Sequence, residues 1–140
     1  SYLEEVTIDE NSQIGPSARL RPKTKIGKKS KIGNFVEIKN SKIGNNVSIA
    51  HLSYIGDAVI GNNVNIGAGT ITCNYDGKKK HKTLIKDNVF IGSNSSIIAP
   101  IVIESKSRIG AGSVITKNIP KNSLAIERSA LKILRNKGSK

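Results

Sequence analysis

A six-residue repeat runs through most of the chain and constrains its fold more than any other feature. An aliphatic residue, usually isoleucine and often followed by glycine, recurs every six residues, with two five-residue steps and one longer interruption. A small or β-branched residue stands four places after most of them. A period of six fits neither an isolated helix nor a simple alternating strand. The aliphatic positions are Ile8, Ile14, Leu20, Ile26, Ile32, Ile38, Ile43, Ile49, Ile55, Ile60, Ile66, Ile85, Ile91, Ile97, Ile103, Ile109 and Ile115.

The period predicts short strands that are joined by turns and stacked as a solenoid, and therefore an all-β fold. Three strands would close one coil of about eighteen residues, and successive coils would lie about 4.8 Å apart, the spacing of hydrogen-bonded strands. The seventeen units of the repeat correspond to roughly five to six coils around a narrow aliphatic core. We expect the glycines that follow the aliphatic residues, and the Gly-Asn-Asn triplets at 44–46 and 61–63, to form corners with positive φ.

The repeat is interrupted between Ile66 and Ile85 by a segment that is about seven residues too long for its place. Insertions in solenoids become loops on one face, often the binding face. This loop carries four lysines and one of the two histidines of the chain. An ordinary solvated loop is the alternative, but an Asn-Tyr pair at 74–75, directly before a turn-forming Asp-Gly pair, favours a specific role.

The register of the repeat predicts a column of residues on one outer face. If the loop is inserted in the unit that starts at Thr72, the third positions of four units lie one coil apart and span about 14 Å. A histidine with small residues above it would make a shallow track for an extended ligand. A lone outward histidine usually has no chemical role, but the track and the neighbouring loop favour one here. The four residues are His51, Ala68, Ser93 and Ala111.

The repeat also sets the domain organisation. We expect one β-helical domain over residues 1–123, with the inserted loop at about 73–84. A basic tail over 124–140 has an apolar pattern that is compatible with a short helix. The chain has no methionine and enters the repeat within its first eight residues, which favours a fragment of a longer protein.

The chain is strongly basic, with 23 Lys and Arg against 10 Asp and Glu and a formal net charge of +13. Nucleic-acid binding is disfavoured, because the lysines are scattered through the predicted corners without a recognition helix or an aromatic platform. Two explanations remain open. The lysines either keep the solenoid soluble or create a field that attracts small anionic substrates such as phosphates.

The composition also bears on location and on metals. No apolar run reaches membrane-spanning length, the first twelve residues lack the pattern of a secretory signal, and Cys73 is the only cysteine, so we expect a cytoplasmic protein. Zinc hydratases hold their metal with three imidazoles, whereas this chain has only His51 and His81. No metal is therefore expected.

Two motifs resemble the acetyltransferase domain of the bacterial bifunctional GlmU enzymes, which combine N-acetylglucosamine-1-phosphate uridylyltransferase and glucosamine-1-phosphate acetyltransferase activities. The motifs are His-Leu-Ser-Tyr at 51–54 and Asn-Tyr-Asp-Gly at 74–77, and the similarity extends from about Val6 to Arg128. The resemblance implies a left-handed parallel β-helix that forms a homotrimer with active sites between subunits. The chain has no counterpart of the uridylyltransferase half, so it is not expected to make UDP-N-acetylglucosamine itself.

The resemblance further implies transfer of acetyl from acetyl-CoA to the amine of glucosamine 1-phosphate, for UDP-N-acetylglucosamine and cell-wall precursor synthesis. His51 matches the general base, a role that suits imidazole because its pKa lies near neutrality. Glu37 is a candidate to orient it. The positions that match substrate-binding residues are Arg21, Lys39 and Lys80 for the phosphate, and Tyr54 and Asn65 for the sugar. The positions that match cofactor-binding residues are Ala68, Asn74, Tyr75, Ser93, Ala111 and Arg128.

Two other functions remain open. The chain could be a non-catalytic trimerisation module, although a scaffold needs none of His51, Lys39, Lys80 or the Asn-Tyr loop. It could also be a hexapeptide-repeat acetyltransferase for another amino sugar. Activity assays on amino sugars with and without the anomeric phosphate would distinguish this hypothesis from acetyl transfer to glucosamine 1-phosphate.

Overall fold

The computed structural model describes residues 1–138, which form a solenoid of short parallel strands. Each strand, except those at the two ends of a sheet, pairs with the strand one coil below and the strand one coil above, and the coil corners connect three sheets. The strands are β1 Tyr2–Leu3, β2 Val6–Ile8, β3 Gln13–Ile14, β4 Arg19–Leu20, β5 Thr24–Ile26, β6 Lys31–Asn34, β7 Glu37–Lys39, β8 Lys42–Ile43, β9 Ser48–His51, β10 Tyr54–Gly56, β11 Ala58–Ile60, β12 Asn65–Ile66, β13 Ile71–Cys73, β14 Thr83–Ile85, β15 Phe90–Ile91, β16 Ser96–Ile98, β17 Ile101–Ile103, β18 Arg108–Ile109, β19 Val114–Ile115 and β20 Leu124–Ala125.

The three sheets have strand orders β1-β4-β7-β10-β13-β16-β19, β17-β14-β11-β8-β5-β2 and β20-β18-β15-β12-β9-β6-β3. The aliphatic residue of each unit pairs with that of the next coil, as Ile49 does with Ile66 and Ile91 does with Ile109. These side chains fill one continuous core, and most of them are completely buried. The predicted parallel β-helix of hexapeptide repeats is confirmed, while its left-handed sense stays a prediction of the resemblance.

The solenoid is longer than the repeat predicted. Residues 1–138 contain 20 strands instead of seventeen units, so the chain makes between six and seven coils. The three additional strands carry Leu3, Thr72 and Ala125 at the aliphatic position, where they pair with Leu20, Ile97 and Ile109. At these three places the neighbouring coil offers backbone partners, so a strand forms even though the sequence lacks isoleucine.

The expected role of the glycines is wrong for most of those that follow an aliphatic residue. Gly15 has a positive φ, but Gly44 does not. A Cβ added at Gly44 would lie 2.5 Å from the carbonyl oxygen of Gly61 in the next coil. Glycine is present there because the coils approach too closely for a side chain. The positive φ values fall on corner residues such as Asn46 and Asn63, at 55° and 57°, because asparagine tolerates this conformation better than most residues do.

The tail also differs from the prediction. Leu124–Ala125 forms the last strand of the solenoid, and residues 126–138 contain no helix. The apolar side chains Leu131, Ile133 and Leu134 are exposed. A helix this short is unstable in water without a surface to pack on. Within residues 1–138 no helix is long and apolar enough to cross a membrane. Residues 139 and 140, part of the predicted tail, lie outside the described residues.

Candidate active site

The predicted column is present in the structure. The strands β9, β12, β15 and β18 pair in register through their isoleucines, so residues two places later lie above one another. Backbone hydrogen bonds connect the upper coils at this corner: Asn94 N–H donates to the oxygen of Ala68, and Gly112 N–H donates to the oxygen of Ser93, both at 2.8 Å. The loop is inserted between β13 and β14, as predicted, so it does not disturb the alignment of these positions from coil to coil. The members of the column are His51, Ala68, Ser93 and Ala111.

Arg128 lies at the upper end of this column. After β20 the chain passes over the last coil, and Arg128 Nη1 donates a hydrogen bond to the carbonyl oxygen of Ala111 at 3.2 Å. Arg128 also lines an open groove of about 560 Å³ together with Gly112 and Val114. The spacing of the repeat could not predict this, because Arg128 follows the last isoleucine unit.

His51 lies at the lower end of the column and at a corner between two sheets. It is the last residue of β9 and is exposed, and its carbonyl oxygen accepts a hydrogen bond from Ser53 Oγ at 2.9 Å. The next residue, Leu52, has a φ of 50° and turns the chain towards β10. The backbone of His51 is thus held at a defined position, and the exposed imidazole is accessible to a ligand.

Glu37 is not arranged as the sequence suggested. It lies on β7, in a different sheet from β9, and its Oε2 accepts a hydrogen bond from Arg21 Nη1 at 3.3 Å. The orientation of His51 by Glu37 is therefore not supported. The carboxylate instead holds the Arg21 guanidinium in place.

The three predicted phosphate-binding cations lie together. Arg21, Lys39 and Lys80 line one open groove of about 330 Å³. Contact with the Lys39 side chain and the charge of Lys39 lower the pKa of Lys80, while the carboxylate of Asp57 acts in the opposite direction. Two ammonium groups held this close together favour the binding of an anion between them. Lys23 also lines the groove and was not identified from the sequence, because it belongs to no motif.

The two predicted sugar-binding residues lie on different sheets. Tyr54 begins β10 and pairs with Glu37, beside the cationic cluster. Asn65 begins β12 and pairs with Ser48 of β9, on the sheet that ends in His51. Within residues 1–138, neither residue lines the groove of the three cations.

Asp57 also lines this groove and was not identified from the sequence. Its side chain is only 7% exposed, its Oδ1 accepts a hydrogen bond from Asn40 Nδ2, and its Oδ2 accepts one from Asn74 Nδ2, both at 2.8 Å. Lys39 Nζ lies 3.7 Å from the same Oδ2. Burial raises the pKa of Asp57, but these two hydrogen bonds and the charges of Lys39 and Lys80 outweigh it and hold the pKa below its usual value. In the sequence, a Gly-Asp pair indicates only a turn.

The inserted loop folds back on itself as a small hairpin. Tyr75 and Lys80 form an antiparallel bridge, and the N–H of His81 donates to the oxygen of Asn74 at 2.7 Å. Asn74 is buried, whereas Tyr75 is exposed and its hydroxyl donates to the oxygen of Gly77. The two predicted cofactor-binding residues of the loop therefore have different surroundings. Asn74 is fixed in the coil wall, and the Tyr75 ring faces outward.

Asp76 closes the hairpin and provides a prediction for acid pH. Hydrogen bonds from the backbone N–H of Lys79, from His81 and from the N–H of Lys78 lower the pKa of Asp76 to about 2. A depressed pKa means that the stabilising contacts are complete above the ordinary value of 3.8 and are lost as the pH falls through about 2. An NMR titration of the Asp76 carboxyl carbon should therefore have its midpoint near this lower value.

A variant at His81 serves as the control for this titration. His81→Leu removes one of the three interactions, so the midpoint should rise but remain below 3.8, because the two backbone donors are still present. A midpoint at or above 3.8 in the unsubstituted chain would show that the hairpin does not form in solution.

Comparison with known proteins agrees with this architecture. Residues 2–76 match the family described as the GMPPB C-terminal domain, and residues 82–117 match the bacterial transferase hexapeptide (six repeats). The structure and these matches define the class of hexapeptide-repeat β-helix proteins. Because the first match covers more than half of the chain, the protein belongs to the GMPPB C-terminal domain family.

The curated relatives are longer proteins. The chain is 57% identical over 129 residues to the bifunctional protein GlmU of Acinetobacter baylyi, which covers 92% of the chain and 28% of that protein. It is 62% identical over 132 residues to GlmU of Thermodesulfovibrio yellowstonii, which covers 94% of the chain and 29% of that protein. The chain thus spans less than a third of the length of these relatives. The resemblance to GlmU that was drawn from the 51–54 and 74–77 motifs is confirmed.

Solved structures share the fold at low sequence identity. A mutant of AntD, an N-acyltransferase from Bacillus cereus in complex with a dTDP-sugar and coenzyme A, has a TM-score of 0.77 at 20% identity and covers 91% of this chain and 81% of its own. PerB from Caulobacter crescentus, in complex with CoA and GDP-perosamine, has a TM-score of 0.70 at 21% identity and covers 82% and 55%. These similarities support the β-helix.

Proposed function

We propose that this protein transfers acetyl from acetyl-CoA to the amine of glucosamine 1-phosphate. One observation carries the proposal: His51 is an exposed imidazole at the corner where the column of small residues ends, and the chain continues from there into the strand beside the cationic cluster. The sequence similarity to GlmU proteins supports this activity.

His51 acts as the general base in this proposal. A neutral imidazole takes a proton from the sugar amine when the nitrogen attacks the thioester carbonyl. The C–S bond then breaks, and the leaving CoA thiolate takes up this proton from the imidazolium to give the thiol. Backbone N–H groups near Ala68, one coil above His51, would stabilise the oxyanion that forms on the carbonyl oxygen. The exposed position of His51 is compatible with direct contact to the amine.

Arg21, Lys39 and Lys80 bind the phosphate group, and Tyr54 and Asn65 contact the sugar. The shared groove and the lowered pKa of Lys80 support the first assignment, because a phosphate would relieve the repulsion between the two lysines. If this assignment is correct, at least these three positive charges serve to attract an anionic substrate and not merely to keep the solenoid soluble.

Acetyl-CoA extends along the column in this proposal, in contact with Ala68, Ser93 and Ala111, and reaches Arg128 near a CoA phosphate. Asn74 and Tyr75 contact it from the loop. AntD and PerB carry CoA on the same fold, which supports the ligand class. The chemistry needs no metal.

The remaining proposals come from the family resemblance. The protein forms a homotrimer with its sites between subunits, lies in the cytoplasm, and supplies N-acetylglucosamine 1-phosphate for UDP-N-acetylglucosamine and cell-wall precursor synthesis. The separation of Asn65 from the cationic groove within one chain is compatible with a site that a second copy completes. Light scattering of the purified chain would test the trimer.

The first experiment is thiol release from acetyl-CoA with glucosamine 1-phosphate and then with glucosamine. We expect release with the phosphorylated sugar and a much higher KM without the phosphate. Lys80→Gln should raise the KM for glucosamine 1-phosphate by about tenfold, because a charge-assisted contact to phosphate is lost. Lys31→Gln, on an exposed position of β6, is the matched control and should behave like the unsubstituted protein.

Two outcomes would overturn the proposal. Equal release with glucosamine and with its phosphate would remove the role of the cationic cluster and indicate another amino sugar. An absence of release, together with an absence of acetyl-CoA binding by calorimetry, would leave a non-catalytic module.

A further inference from the structure

Asp57 connects residues of both predicted subsites through one buried carboxylate. Its Oδ2 accepts a hydrogen bond from Asn74, which is assigned to the cofactor, and lies 3.7 Å from the ammonium of Lys39, which is assigned to the sugar phosphate. Asn74 Nδ2 also lies 3.3 Å from the hydroxyl of Tyr54, a predicted sugar contact. One oxygen atom therefore fixes a side chain from each half of the site.

We infer that Asp57 is a positioning residue that couples the binding of the amino-sugar phosphate to the binding of acetyl-CoA. The inference rests on the proposed function and extends it: Asp57 lies in the wall of the groove of the three cations, but its carboxylate is directed at protein partners. Its carboxylate is buried and its two oxygens are already occupied by Asn40, Asn74 and Lys39. It acts by holding Lys39 and Asn74 in the orientations that the ligands need.

The surroundings of Asp57 indicate that a charged group is needed at this place. A buried carboxylate is unfavourable unless it is paired and hydrogen-bonded, and this one has an ammonium partner and two amide donors. Two donors and one cation converge on it, so a neutral amide at the same place would have to turn an N–H₂ group towards one of them. The chain retains a costly buried charge directly between the two subsites.

The hairpin loop connects the residues of the two subsites. Asn74 is the first residue of the loop after β13, and Lys80 returns along the other side of the hairpin to the same groove as Lys39. A phosphate that draws Lys39 and Lys80 together changes the charge around Asp57. The orientation of the Asn74 side chain, which is hydrogen-bonded to Asp57, then changes as well. Binding of either ligand should therefore strengthen the binding of the other.

The test is Asp57→Asn, which has nearly the same shape and no charge. Asp57 has a φ of 51°, a conformation that asparagine tolerates well, so the corner should keep its backbone. We expect the KM values for glucosamine 1-phosphate and for acetyl-CoA each to rise by about tenfold, the effect of losing a charge-assisted hydrogen bond. We expect kcat to change little, because His51 is untouched.

Calorimetry separates coupling from simple damage to the fold. In the unsubstituted protein the Kd of CoA should fall by about fivefold or more when glucosamine 1-phosphate is present, and this difference should disappear in Asp57→Asn. Asp87→Asn is the matched control, because Asp87 Oδ1 also accepts a corner hydrogen bond, from the N–H of Asn62 at 2.7 Å, but belongs to another corner. Asp87→Asn should leave the Kd of CoA unchanged, both with and without glucosamine 1-phosphate, and should therefore keep the coupling.

A second variant keeps the inference testable if Asp57→Asn does not fold. Lys39→Met keeps the unbranched chain, one atom shorter, and removes the positive charge next to Asp57. It should weaken CoA binding by about threefold, although Lys39 is assigned only to the sugar phosphate.

Asp57 has no coupling role if the unsubstituted protein turns over normally and Asp57→Asn leaves the Kd of CoA unchanged, both with and without glucosamine 1-phosphate. An effect on one ligand alone in both variants would also overturn it. If the unsubstituted chain binds neither ligand, the proposed function itself fails, and the role of Asp57 fails with it.

Discussion

Replacement of His51 by alanine is expected to lower kcat for acetyl transfer by about 10²- to 10⁴-fold, the usual contribution of a general base. The side chain is exposed at the end of β9 and contributes nothing to the isoleucine core. The variant should therefore unfold at nearly the same temperature as the unsubstituted protein. The measurement is initial-rate thiol release at saturating acetyl-CoA and glucosamine 1-phosphate.

Added imidazole provides a control for the role of His51. If His51 removes a proton, free imidazole should restore part of the activity of His51→Ala and should not accelerate the unsubstituted protein. Gln13→Ala, on an exposed position of β3 in the same sheet, should retain full activity. Full activity in His51→Ala would refute the assignment of the base.

Replacement of Ile91 by alanine is expected to destabilise the solenoid by about 2–5 kcal/mol, the range for deleting several buried methyl and methylene groups. Ile91 is fully buried and pairs with Ile66 below and Ile109 above. The cavity cannot close easily, because the coils are held at a fixed spacing by backbone hydrogen bonds. Urea denaturation should show a lower midpoint with an unchanged slope.

The same substitution at Ile133 provides the comparison. Ile133 lies in the tail, 74% exposed, so Ile133→Ala should change the free energy of unfolding by less than about 0.5 kcal/mol. Equal losses in the two variants would mean that the tail packs on the solenoid in solution or that the stack around Ile91 is not continuous.

The sequence by itself determined the architecture, because the aliphatic repeat is a property of spacing alone. Ile49, Ile66, Ile91 and Ile109 recur at the intervals that stack them, and any residue at a fixed offset from them must also stack. This is why the column from His51 to Ala111 and the position of the inserted loop were predictable. The roles of these residues as base and ligand contacts stay predictions.

Only the tertiary structure decided which polar groups meet between coils and at the ends of the solenoid. The bond from Asn74 to Asp57 joins residues 17 positions apart, and that from Arg128 to Ala111 spans the same separation. A motif and the register drew attention to Asn74 and Ala111, but no local pattern in the sequence shows that they meet Asp57 and Arg128. Two other features also depend on the coil above or below. One is the formation of strands that lack isoleucine, and the other is the presence of glycine where two coils approach closely. Such contacts depend on how closely neighbouring coils approach, and this distance is set only in the folded solenoid.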